Sequence, residues 1–358
     1  MNLKRITILT VLLLILPSVV IAQDVAKPVE GDYVTHDFKF KSGETLPELR
    51  LHYATYGTPA YDTKGHVTNA VMILHGTTGS GQQFVNPRFA GVLFGPGQLL
   101  DTSKYFIILP DSIGHGHSSK PSDGLHAKFP HYDYDDMVAA QHLLLTQGLK
   151  VDHLRLIMGT SMGCMHSWVW LETYPGFVDA AMPLACLPVQ IAGRNRMMRK
   201  MAIDSIRNDP GYNGGDYAKP PEGLRTAIYA LVVMSSSPLQ MQKNFSTRDA
   251  ADKYLDNFVS RMMSSVDAND FLYAFDSSRN YDPSPGLDKI TTPVMFINSA
   301  DDYINPPELA IAEREIKRVK NGKFVLLPIT DETRGHGTHT LPAIWQQYLA
   351  ELLKTSSK

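Results

Sequence analysis

Short, almost wholly apolar runs recur along this chain, and most break off into glycine, histidine, serine or aspartate. The runs are AVMILH (70–75), YFIILPDS (105–112), LRLIMG (154–159), AAMPLAC (180–186), PVMFINSADD (293–302) and KFVLLPI (323–329). They lack the polar alternation of a strand with one wet face, and their length and bounding turns read as buried strands. Between them lie stretches of helical spacing. DYDDMVAAQHLLLTQG (133–148) puts Met137, Ala140, Leu144 and Leu145 on one face, with acids in its first turn and Gly148 at its end. Further helices are predicted just beyond Ser161, over 307–319 and in the closing PAIWQQYLAELLK. Residues 33–56 read as extended segments about a turn at Ser42-Gly43. Strands alternating with helices predict an α/β fold, a mostly parallel sheet with helices on both faces.

The rhythm stops between 189 and 285. No buried strand-like run occurs there; RNRMMRKMAIDSIRND, LRTAIYALVVM and ADKYLDNFVSRMMSSVDANDFLYAFDSS read as helices joined by irregular loops. A helical insertion into an α/β sheet is a lid. The expected organisation is a core over 30–188, a lid over 189–285 and the second part of the core over 286–354. No internal repeat or low-complexity segment interrupts it.

Composition changes this picture little. A hydrophobic content of 43 % and a charged content of 20 % are ordinary for a globular chain, and a formal net charge of −2 with no basic stripe argues against nucleic acid as a partner. The first 22 residues differ. Lys4 and Arg5 precede an apolar run from Ile6 to Leu16, then Pro17, then Val20-Ile21-Ala22 before Gln23. That is the layout of a cleaved signal peptide, and the run is short for a bilayer span. The expectation is a periplasmic or secreted protein without a stable membrane anchor after cleavage. The chain has two cysteines, Cys164 and Cys186; buried free thiols are expected in preference to a bridge.

The candidate chemistry sits where the strands end. Gly159-Thr-Ser161-Met-Gly163 follows a strand directly and opens a helix. A serine hydroxyl needs a base to take its proton and an acid to orient that base. On a strand-to-helix turn the chain order is serine, acid, histidine. FINSADDYINPP supplies Asp301 and Asp302 after one later strand, and TDETRGHGTH supplies His336 and His339 after the next. Spacing favours Asp302, with Asp301 left to the turn, and the flanking glycines favour His336. Backbone amides of Met162 and of Thr77, in the loop HGTTG, are the expected oxyanion donors. His75 is read as positioning that loop. The histidines of GHGHS and its surroundings have no metalloprotease spacing, so no metal and no cofactor is expected. Met197, Met198, Met201, Tyr229 and Met234 of the lid are candidate substrate-binding residues.

These residues resemble the α/β-hydrolase superfamily and, more narrowly, the homoserine O-acetyltransferase family. The narrower resemblance rests on DYDDMVAAQ, GTSMGCM, NRMMRKMAIDSIRNDPGYNGGDYAKPPEGL and VDANDFLYAFDSSRNYD, and it covers about residues 35 to 352. It implies a hydrolase sheet with a helical lid, triad roles for Ser161, Asp302 and His336, and a homodimer through the lid. It also implies acetyl transfer from acetyl-CoA to homoserine. The chain departs from the family in VVMSSSP (232–238), where a Tyr-Arg-Ser string usually stands. It also has D-S-I-G-H-G-H-S after the fourth strand, and Cys164 in place of a glycine. Met234, Ser235 and Ser236 cannot make arginine's two-pronged grip on a carboxylate. The expected activity is therefore that of an exported serine esterase on small or medium acyl esters, with acetyl transfer as the alternative.

Overall fold

The computed structural model describes residues 27–356; the signal-peptide segment lies outside them. Eight strands form one sheet: β1 (Val29–Lys39), β2 (Thr45–Tyr56), β3 (Ala70–Leu74), β4 (Phe106–Pro110), β5 (Leu156–Thr160), β6 (Ala181–Leu184), β7 (Val294–Ser299) and β8 (Gly322–Leu327). Their order is β1-β2-β4-β3-β5-β6-β7-β8. The β1–β2 and β2–β4 pairs are antiparallel, and all the others are parallel.

The central strands are apolar throughout because both faces are covered. In β3, Met72 and Leu74 join one core with Met137 and Trp168, while Val71 and Ile73 point to the other, with Phe89 and Trp345. The core helices α1 (Ala90–Leu93), α2 (Tyr134–Leu143) and α3 (Met162–Thr173) precede β6. Five helices then intervene before β7: α4 (Gly193–Arg207), α5 (Glu222–Ser235), α6 (Pro238–Asn244), α7 (Arg248–Ser265) and α8 (Ala268–Asp276). Finally come α9 (Ile311–Glu315) and α10 (Pro342–Thr355). The single helix expected over 307–319 is broken into three pieces, because Ala310 takes φ +50° between a 3₁₀ turn and α9.

The expectation of free thiols is overturned. Cys164 and Cys186 form a disulfide, with 5.8 Å between their Cα atoms. The reason is the pairing of β5 with β6. Cys164 lies in the first turn after β5 and Cys186 just past the end of β6, so neighbouring strands deliver both to one place.

Glu172, near the end of α3, packs against the 284–289 turn, and burial pushes its carboxyl up to about 7 from an ordinary 4.5. The folded state thus holds this proton more tightly than the unfolded chain. Its contribution to stability is complete below about pH 4.5 and is lost as pH rises through 7. Glu172→Gln is expected to be more stable than the wild type by about 1 kcal/mol at pH 8, a figure reduced for partial solvent screening. Urea titrations should show the two proteins converging at pH 4.5.

Candidate active site

The segment around Ser161 is shaped by close approach. Ser161 has φ +54° and ψ −108°, a conformation that costs energy in a non-glycine residue and must be held by its surroundings. A Cβ on Gly159 would stand 1.9 Å from the Gly163 carbonyl oxygen, and one on Gly163 would stand 2.2 Å from that of Leu74. Both positions therefore require glycine. The turn is tied on either side: Ser161 N donates to Leu184 O at 2.9 Å, and Gly163 N to His75 O at 2.9 Å.

Three loops bring the predicted side chains together. His336 Nε2 is 2.9 Å from Ser161 Oγ, and His336 Nδ1 is 2.8 Å from Asp302 Oδ2. Asp302 is buried and well supplied with donors. Asn305 Nδ2 donates to Oδ2 at 3.0 Å, and Ile304 N donates to Oδ1 at 2.9 Å. Burial alone would raise its pKa, but the His336 charge and these hydrogen bonds outweigh that and hold it below the ordinary carboxylate value. It is an anion built to face an imidazole.

Asp301 turns the other way. Its Oδ2 accepts from Gly335 N at 2.8 Å and Ser237 Oγ at 3.1 Å, and its Oδ1 accepts from Ser299 Oγ. It fastens the histidine loop to the acid loop and to the lid. His339 stands edge-on to His336, 5.0 Å between ring centres, and is pushed down to about 3 by burial and by His336. It is neutral at physiological pH.

Thr77 lies in the loop after β3 and lines a cavity with Ser161 and His336, while Met162 begins α3. Among the described residues, neither amide has a backbone acceptor outside this site. His75 Nδ1 donates to Gly76 O at 2.8 Å, and its Nε2 accepts from Ser112 N at 3.0 Å. This single neutral tautomer fits a pKa lowered to about 4 by burial and by His115. His115 Nε2 is in turn 2.8 Å from Thr77 O, so both rings hold the loop.

Two cavities meet at Ser161, of about 400 and 750 Å³. The first is lined by Met165, Leu187, Ile191 and Ile304 among others, the second by Met198, Phe271 and Phe275. Most of the lid residues expected to bind substrate are elsewhere. Met197 is 63 % exposed, Met201 59 % and Tyr229 40 %. The buried face of α4 is Met198, Ala202, Ile203 and Ile206, so its Met197/Met201 stripe faces solvent. Met234 packs half-buried against the core without lining either cavity. Of the lid methionines considered, Met198 reaches a cavity. Sequence reasoning missed Arg199, which lines both cavities beside Ser161. Nothing in the sequence of α4 separates it from the other charges of that helix.

A sequence model of the alpha/beta hydrolase fold family matches residues 69–331. A homoserine O-acetyltransferase of Pelobacter propionicus is 31% identical over 348 residues, covering 86% of this chain and 91% of its own. One from Citrifermentans bemidjiense is 30% identical over 346 residues, covering 85% and 91%. Among solved structures, an acetylester hydrolase from Corynebacterium glutamicum superposes with a TM-score of 0.78 over 91% of this chain and 96% of its own, at 21% identity. Homoserine O-acetyltransferase from Bacillus anthracis superposes with a TM-score of 0.79 over 92% and 98%, at 19% identity. At such identities the superpositions show the shared fold.

Proposed function

The chain belongs to the α/β-hydrolase family and is related over most of its length to homoserine O-acetyltransferases; from that premise we propose that it is a serine acyl-transfer enzyme. The observation that carries this reading is the unbroken hydrogen-bond chain from Ser161 through His336 to Asp302 on a strained turn. In the proposed reaction Ser161 Oγ attacks the carbonyl carbon of an ester or thioester while His336 Nε2 takes its proton. The oxyanion rests on the Thr77 and Met162 amides, and the leaving group departs with the proton from His336. The acyl-serine is then attacked by an acceptor hydroxyl that His336 deprotonates, which regenerates Ser161.

The acceptor decides the name of the reaction. The relatives' name favours an alcohol such as homoserine, with acetyl as the acyl group, and this is better supported than the esterase expectation. One observation keeps water as the second reading. The end of α5 offers Met234, Ser235 and Ser236, and Ser235 Oγ is turned back to Leu231 O at 2.8 Å. No guanidinium stands on that segment.

We place the protein outside the cytoplasm, a reading supported by the leader-like first 22 residues and by the Cys164–Cys186 disulfide, which suits an oxidising compartment. Purified protein supplied with p-nitrophenyl acetate, with and without homoserine, tests the reaction, with Ser161→Ala as the control. Acetylhomoserine as the main product supports transfer. Free acetate in both cases supports hydrolysis, and release no faster than in Ser161→Ala overturns both.

A further inference from the structure

Arg199 is 4 % exposed, yet among the described residues no carboxylate pairs with it. Its Nε donates to Asn195 Oδ1 at 3.1 Å and its Nη1 to Ser278 Oγ at 3.0 Å, and its guanidinium lies over the Phe275 ring, 5.5 Å from the centroid. These neutral contacts fix the plane of the group without offsetting its charge. Nη2 has no acceptor among the described residues.

A buried cation is costly unless paired. Arg199 is held at the place where the two cavities meet, and Ser161 lines both of them with it. Asp270 and Glu308 also line the cavities, but neither is ion-paired to Arg199. Asp270 is engaged by Ser122 N and Oγ at 2.8 and 2.6 Å, and burial raises its pKa to about 6. A second polar group waits nearby. Tyr134 is buried, and its hydroxyl lies close enough to Arg199, Ser278 and Thr77 for each to act on it, Arg199 also as a charge.

We propose that Arg199 is the anion-reading residue of the site, and that the substrate carries a free carboxylate which pairs with this guanidinium while the ester carbonyl lies at Ser161. The inference rests on the acyl-serine reading and narrows its substrate class. It also supplies a carboxylate contact on α4, where the end of α5 has none. Arginine suits the task because its planar fork meets a carboxylate with two parallel hydrogen bonds.

The carboxylate could belong to the acyl part or to the alcohol part, and two matched pairs of esters separate these. Mono-4-nitrophenyl glutarate is compared with 4-nitrophenyl pentanoate, and 4-acetoxybutanoate with its methylamide. Hydroxylamine is the common acceptor, so that the final acceptor does not limit the rate. In the wild type one pair is expected to favour the carboxylate by about ten- to a hundred-fold in kcat/KM, the range of a charge-assisted hydrogen-bond pair. Arg199→Gln should bring that ratio to about one, and Arg199→Lys should keep part of it. Ratios near one for both pairs in the wild type, or a preference that persists in Arg199→Gln, overturn the inference. If the variants do not fold, competitive inhibition of the wild type by butyrate but not by butyramide supports it, and equal or absent inhibition overturns it. Ser161-dependent turnover with a ratio of one sinks this inference alone, whereas turnover that ignores Ser161→Ala sinks the acyl-serine reading itself.

Discussion

Ser161→Ala is expected to lower kcat for acyl transfer by about 10⁴-fold or more, and His336→Ala by a similar factor, with the double variant little worse than either. The reason is geometric. His336 Nε2 is 2.9 Å from Ser161 Oγ, so each group is of little use to the nucleophilic step without the other. Asp302→Asn should cost about 10³- to 10⁴-fold, because an amide facing His336 Nδ1 favours the wrong tautomer. Asp301→Asn gives the informative contrast. Asp301 accepts from Gly335 N and Ser237 Oγ and does not touch the imidazole ring. Its replacement should act mainly on stability, by about 1–3 kcal/mol, as a buried polar network is left incompletely paired. Initial rates and urea midpoints on the two variants are the measurement. A larger kinetic loss in Asp301→Asn than in Asp302→Asn would reverse the assignment of the acid.

Removing the disulfide is expected to destabilise the protein by about 3 kcal/mol, the chain-entropy value for a loop of this length. For a protein of this size that is roughly 4 °C in Tm. The bridge also has a local role. Asn298 Nδ2 donates to Cys186 O at 3.2 Å, and Asn305 Nδ2, which supports Asp302, donates to Ala185 O at 3.0 Å. The disulfide thus connects the first turn of α3 to the segment on which the acid loop rests. Reductant should lower the Tm of the wild type and leave Cys164→Ser/Cys186→Ser unchanged. Two titratable thiols in the folded protein as purified, with no shift on adding reductant, would sink this expectation.

The parallel sheet and the hydrogen-bonded grouping of Ser161, His336 and Asp302 were legible because each has a one-dimensional signature. Strands covered on both faces must be apolar at every position, and a strained serine turn must have glycines where backbones touch. The choice between Asp301 and Asp302 was harder. Both leave β7 within one turn, and what separates them is that Asp301 points at the Gly335 amide, a group 34 residues away. The lid was harder still. Met197, Met198 and Met201 are similar residues on one helix, and the sequence spacing does not reveal which side a second layer covers. Arg199 was overlooked because a charge within a helix is ordinarily a solvated one. The bridge between Cys164 and Cys186 depends on the adjacency of β5 and β6, which a separation of 22 residues does not disclose.

As the chain is synthesised, Ser161 emerges after β1 to β5, then β6, then the whole lid, and only afterwards β7 with the acid and β8 with the histidine loop. Each late strand adds to the edge left by its predecessor, and 175 residues separate Ser161 from its base. A nascent or prematurely ended polypeptide therefore carries the hydroxyl with nothing to deprotonate it. In the proposed reaction the proton acceptor arrives only after the last strand, when the lid is already made, so an incomplete copy would lack it.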